Sequence, residues 1–295
     1  MRDILFVLPF LVVGAILFWG WYTSGLVLHG ERDPLTATPR TFGLPYREES
    51  FSSEDGVPLR AWFVPSSKPT DTTLVVCHGW GANRSDVLER THFLSGRGGY
   101  HLFFFDFRNH GESGAGRSSL SRYEAGDLRA ALAHLRAAHP AEAARVGFYG
   151  MSMGAAVCLW VAAQDAGVAA VAAESPYSDF NGAVTRFGRI FYHTPPLLSR
   201  LTLWFVRRRL GFDPNEYAPI LAVGRLAPRP LFLLQGEEDG RTPPEEGRRL
   251  FQAAGEPRTI WTVPGADHGE VAEVGGRDYQ DRVLAFFDGV FGPRS

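Results

Sequence analysis

Residues 146–163 read VGFYGMSMGAAVCLWVAA, and the fold turns on how this run is understood. Val146–Tyr149 is a short apolar run, the signature of a strand buried on both faces of a sheet. Met153–Ala163 reads as a helix. Between them Gly150-Met151-Ser152-Met153-Gly154 fits G-x-S-x-G. The pattern alone is weak, because glycine and serine are common. Its setting makes it specific: a serine between a strand and a helix is held on a strained turn with its hydroxyl presented. The glycines remove side chains that would collide there. The helix N-terminus adds partial positive charge beside a developing oxyanion. The competing reading of Ser152 is the N-cap of a buried helix.

Outward from this turn the same alternation recurs. Thr73–Cys77, His101–Phe105, Val168–Ala173, Leu231–Leu234 and Thr259–Val263 are further apolar runs, and Arg60–Val64 reads as one arm of an opening hairpin behind Glu54-Asp55-Gly56. Leu128, Ala131, Leu132 and Leu135 recur at i, i+3, i+4 and i+7, one face of a helix. Strands alternating with helices predict an α/β fold with a mostly parallel central sheet flanked by helices. Between Ser175 and Pro228 the alternation stops while aromatic and aliphatic residues continue. A structureless loop of that length is disfavoured, so a helical cap insertion is expected over about 175–228.

A serine hydroxyl needs a base. His268 follows the last apolar run, in Pro264-Gly265-Ala266-Asp267-His268-Gly269, and is the expected base; His193, in the insertion, is not separated from it by spacing alone. The base needs a buried carboxylate to fix its tautomer. Asp239, after Leu231–Leu234, gives the chain order Ser152, Asp239, His268 that this turn predicts, with Glu238 and Asp267 as competitors. The oxyanion hole is expected from the backbone N–H groups of Met153 and of Trp80 in His78-Gly79-Trp80-Gly81. Trp80 is also a candidate for the substrate wall, with Tyr177, Phe191 and Trp204 from the insertion.

The His78–Arg84 segment, Asp106-Phe107-Arg108-Asn109-His110-Gly111-Glu112-Ser113, the Gly150–Gly154 turn, Gly236–Asp239 and Gly265–His268 occur in the order seen in α/β-hydrolases. Over about residues 46–291 the chain resembles that superfamily, and within it the Bem46-type and related membrane-anchored bacterial serine hydrolases. The resemblance implies an α/β-hydrolase fold and cleavage of esters, thioesters or amides without a cofactor. It makes Asp106, Arg108 and His110 a structural turn rather than catalysts. Two function classes follow. One is a serine hydrolase acting through an acyl-enzyme, on esters or thioesters or, alternatively, on peptides or amides. The other is a membrane-tethered binding protein that keeps the fold without the activity.

Ile4–Leu28 carries no charge and is long enough to cross a bilayer. It ends in bulky aromatics, Trp19, Trp21 and Tyr22, whereas a signal peptide is shorter and ends in small residues. The expected layout is a transmembrane anchor over residues 1–29, a linker over 30–45 and a catalytic domain over 46–295. A cleaved signal peptide and a buried core helix are the competing readings, and the side of the membrane is undecided. Leu197, Leu198, Leu201, Trp204 and Phe205 form an apolar stripe followed by Arg207–Arg209. The stripe is expected to face either a lipid interface or the catalytic domain. With an apolar cap over Ser152, the expected substrate is a small or lipid-like acyl compound. The net charge of −2 indicates no nucleic-acid partner, and no obligate protein partner is indicated. Two cysteines without partner ligands make no metal site, and phosphate-loop, dinucleotide and H-E-x-x-H patterns do not occur.

Overall fold

The structure is a computed structural model that describes residues 2–29 and 32–292, with side chains from residue 7 onward. In chain order the elements are α1 (Arg2–Leu28), β1 (Arg47–Ser52), β2 (Pro58–Val64), β3 (Thr72–Cys77), α2 (Arg84–Thr91), α3 (Phe93–Gly96), β4 (His101–Phe105), α4 (Arg122–Ala138), β5 (Arg145–Met151), α5 (Met153–Ala162), β6 (Val168–Glu174), α6 (Phe180–Tyr192), α7 (Pro196–Leu210), β7 (Leu231–Gly236), α8 (Pro244–Ala253), β8 (Arg258–Val263) and α9 (Val271–Phe291). Eight strands form one sheet in the order β1-β2-β4-β3-β5-β6-β7-β8. The pairs β1–β2 and β2–β4 are antiparallel and the rest parallel. The expected α/β architecture, with its mostly parallel sheet and flanking helices, is the one observed.

The apolar runs form strands because both of their faces are covered. Val75, Cys77, Phe103 and Phe105 point into one core, with the buried faces of α4 and α5. Leu74, Val76, Leu102 and Phe104 point into the other, with α2, α3 and α9. The hairpin reading of Arg60–Val64 called for a partner strand ahead of Glu54 without giving its bounds, and β1 is that strand. Its residues, REESFS, are largely exposed at the sheet edge, and an edge strand tolerates charge that an inner strand would not.

The insertion after β6 is helical, as expected, and part of its apolar stripe packs on α1. Leu201 and Phe205 pack on α1 at Gly20, where an added Cβ would stand 2.6 Å from Leu201 Cγ. Thr23 and Thr202 hydroxyls meet at 2.7 Å. Arg209 donates to the Trp21 carbonyl at 2.9 Å and lies over the Trp21 ring. Leu28 joins Leu203, Val206 and Leu210 in one small core with Phe180 and Val184. The pairings advance together along both helices, so α1 and α7 run parallel. Leu197 and Trp204 are left 73% and 52% exposed. The arginine triplet divides as well: Arg207 pairs with Asp213, Arg209 serves α1, and Arg208 is exposed.

Val7–Leu28 is a 22-residue apolar helix, by length and composition enough to cross a hydrocarbon core, and its C-terminal part from Gly20 is the part packed on α7. Its N-terminal part is open, with Phe10 at 77% and Phe18 at 62% exposure, which argues against a buried core helix. Gly30 and Glu31, the first linker residues, lie outside the described residues. The rest of that segment is docked on the domain. Asn83 donates to the Asp33 and Pro34 carbonyls, Thr36 N–H donates to Ser85 Oγ at 3.1 Å, and Phe42 stacks on His92.

Candidate active site

Ser152 sits between the end of β5 and the start of α5 with φ +52° and ψ −115°, a conformation that non-glycine residues hold only when the surroundings enforce it. The enforcement is visible. Ser152 N–H donates to the Glu174 carbonyl of β6 at 2.8 Å, and Ala156 N–H donates to the Ser152 carbonyl at 3.0 Å. At Gly154 an added Cβ would stand 2.5 Å from the carbonyl oxygens of Cys77 and His78, so only glycine lets α5 pack this closely on the end of β3.

His268, in the loop after β8, brings Nε2 to 3.0 Å from Ser152 Oγ. Its Nδ1 is 2.8 Å from Asp239 Oδ2. Asp239 is buried. Its Oδ1 accepts from the N–H groups of Thr242 and Arg241 at 2.7 and 3.0 Å, and its Oδ2 accepts from the Thr242 hydroxyl at 2.8 Å. With that carboxylate acceptor-only, the network assigns the ring proton to Nδ1 and leaves the Nε2 lone pair facing the serine hydroxyl. Burial raises the Asp239 pKa, but the His268 hydrogen bond and charge, with the Thr242 donors, outweigh burial and hold it below the usual carboxylate value.

The competing residues are elsewhere. Glu238 is exposed. Asp267 accepts from the backbone N–H of His268 and of Gly240, shaping the loop without reaching the ring. His193 is exposed at the C-terminal end of α6. A depressed acid pKa stabilises the fold above the ordinary carboxylate range, and that contribution fades as pH falls through the lowered value. The stability gap between wild type and Asp239→Asn is therefore expected to narrow below about pH 4. Thermal melting between pH 7 and pH 2.5 measures it; a gap that widens on acidification would contradict the assignment.

Gly79 backs directly on Ser152, with an added Cβ 3.3 Å from Ser152 Cβ, so the His78–Trp80 backbone passes beside the hydroxyl. Met153 opens α5, where first-turn amides have no acceptor within the helix. Met153 thus directly follows Ser152 at the start of α5, and Trp80 directly follows Gly79. His78 fixes the loop: Phe107 N–H donates to its Nε2 at 2.9 Å, so its Nδ1 carries the proton and donates to the Gly79 carbonyl at 2.7 Å. Burial, reinforced by neighbouring His110, pushes its pKa well down and keeps it neutral.

Ser152 and His268 open into a cleft that extends to solvent. Of the four expected wall residues, Trp80 and Tyr177 line it. Phe191 and Trp204 do not. Phe191 lies one turn beyond the lining residue Phe187, on the exposed end of α6, under the Arg241 guanidinium. Trp204 is on the outer face of α7, because the faces around Leu201 and Val206 take the inward contacts. Val184 and Phe187 line the wall without having been singled out, as do Leu26 and Val27 of α1. The sequence signal for Phe187 was its helical phase; for α1 there was none. Arg90 was also missed: it donates to Glu174 and to the Gly269 carbonyl, tying the strand under Ser152 to the histidine loop.

Residues 72–217 match the family model described as alpha/beta hydrolase fold. The uncharacterised Mycobacterium tuberculosis protein Rv2307c is 29% identical over 241 residues, 81% of this chain and 78% of that protein. The Saccharomyces cerevisiae protein YNL320W, an uncharacterised membrane protein, is 23% identical over 221 residues, 73% of this chain and 70% of its own. Among solved structures, the Pyrococcus furiosus esterase Pf2001 superposes with a TM-score of 0.77 at 24% identity, covering 90% of this chain and 99% of the esterase.

Proposed function

We propose that the chain, whose residues 72–217 match the alpha/beta hydrolase fold, is a membrane-anchored serine hydrolase of that superfamily that cleaves carboxylic esters or thioesters through an acyl-enzyme. The observation that carries this reading is the chain of contacts from Ser152 Oγ to His268 Nε2 at 3.0 Å and from His268 Nδ1 to Asp239 at 2.8 Å. In it, His268 takes the hydroxyl proton as Ser152 Oγ attacks the acyl carbonyl. Asp239 holds the imidazolium that forms. The carbonyl oxygen, now negative, accepts from the Met153 and Trp80 amides, each such donor contributing about 3 kcal/mol. The bond to the leaving alcohol or thiol breaks and His268 protonates it. Water then attacks the acyl-enzyme, gives its proton to His268, and the carboxylic acid leaves as Ser152 recovers its own.

An apolar acyl group is the substrate side supported by the cavity wall, which is mainly hydrocarbon with Ser152, His268, Thr242 and Arg241 as its polar members. Attachment to a membrane is supported by the length and exposure of α1 and by the description of the yeast relative. The test is a panel of the purified full chain on p-nitrophenyl esters, acyl thioesters and charged peptides. Turnover of esters or thioesters is expected. Turnover confined to peptides would move the reading to a peptidase or amidase, and no turnover with no reaction toward an active-site phosphonate would leave a binding protein. Recovery of the full chain from the soluble fraction, α1 intact, would remove the anchor.

A further inference from the structure

The end of α1 and Ser152 share a cavity. Leu26 and Val27 line the space that also holds His268. The same two residues, with Val184 and Phe187, line a second cavity that continues between α1, α6 and α7 as far as Thr23 and Thr202. The two spaces therefore adjoin across four common side chains. Tyr192 lines this second cavity and is itself exposed, and Ile190 and Leu197 of the cap and Ile16 and Leu17 of α1 are exposed as well. Because α1 and α7 run parallel with Gly20 against Leu201, Leu197 lies about 6 Å further toward the membrane-crossing part of α1 than that contact does. The two adjoining cavities thus lead from the serine along Leu26, Val27, Val184 and Phe187 to Tyr192, with the hydroxyls of Thr23, Thr194, Ser199 and Thr202 at the far end.

We propose that α1 is a wall of the substrate site as well as an anchor. The acyl chain of a membrane-resident lipid ester enters between α1, α6 and α7 and lies along Leu26 and Val27, with its carbonyl at Ser152. This rests on the reading of the chain as a serine ester hydrolase. A short water-soluble acyl group would leave the α1 side of the path empty, whereas a long chain fills it, and each methylene buried raises kcat/KM about fourfold until the path is full.

The test uses the full chain in lipid nanodiscs and compares p-nitrophenyl palmitate with p-nitrophenyl butyrate. For the wild type, kcat/KM for palmitate is expected to exceed that for butyrate by about tenfold or more. Leu26→Trp, which fills the path, is expected to lower that ratio by about tenfold or more. Leu26→Ala, which widens it, is expected to move the preferred chain length upward. A ratio in Leu26→Trp within about twofold of wild type overturns the proposal. If Leu26→Trp fails to fold, judged by loss of a cooperative thermal melt, Leu26→Ala decides, and an unchanged chain-length profile overturns it. A wild type that labels at Ser152 yet prefers butyrate sinks the channel alone; a wild type that neither labels nor hydrolyses any ester sinks the hydrolase reading beneath it.

Discussion

Ser152→Ala is expected to lower ester turnover by about 10⁴-fold or more while leaving the melting temperature near that of wild type. The alanine removes one oxygen and keeps the Cβ that the turn already accommodates. The backbone bonds from Ser152 N–H to Glu174 and from Ala156 N–H to the Ser152 carbonyl do not involve the hydroxyl. His268→Ala is expected to lose nearly as much, because the proton acceptor at 3.0 Å from Oγ is gone, and the double variant little more, since the groups act as a unit. Asp239→Asn is expected to lose less than either, as the histidine keeps a hydrogen-bonding neighbour in Thr242. Turnover surviving in Ser152→Ala at more than about a tenth of wild type would remove it as nucleophile.

Arg108→Met is expected to cost about 3–5 kcal/mol of stability, lowering the melting midpoint by about 10 °C, with ester turnover at permissive temperature little changed. The arginine is buried and grips two acids. Nε and Nη2 donate to Asp127 at 2.7–3.1 Å, and Nη1 and Nη2 donate to Asp55 at 2.8 Å. Methionine keeps the stem but takes from the fully buried Asp127, whose pKa burial already raises to about 6, the cation and donors that hold it ionised. Asp55 depends on the same group: the Arg108 hydrogen bond, against burial and helped by Ser53, lowers its pKa to about 2. Adding Asp127→Leu to Arg108→Met is expected to restore part of the loss, since the unpartnered buried carboxyl goes with it. Melting and turnover measured on the same samples decide the matter. Lost turnover at unchanged stability would make Arg108 part of the site rather than part of its frame.

The turn around Ser152 could be read from sequence because its requirements are local: an apolar strand, two glycines and a helix, all within residues 146–163. The inner strands could be read for a related reason, since burial on both faces leaves an unbroken apolar run. The bounds of strand β1 could not, because an edge strand bearing Glu48 and Glu49 looks like any charged loop. The acid beside His268 depends on a tight turn in which Asp239 points inward while Glu238, its neighbour, points out, and spacing does not report that. The pairing of α1 with α7 was hidden by composition. Each is apolar enough to face lipid or a core, and nothing in either run names Gly20 and Leu201 as partners. Phe191 and Trp204 went astray for the same reason, as the inward phase of α6 and α7 depends on where α1 lies.

The central claim is that Ser152 is the nucleophile of a working site. The most direct measurement is reaction of the full chain with a fluorophosphonate, followed by peptide mass mapping. One adduct per chain is expected, on the peptide containing Ser152, absent in Ser152→Ala and strongly slowed in His268→Ala. An adduct on any other residue, or none on a folded wild-type chain, would contradict the account.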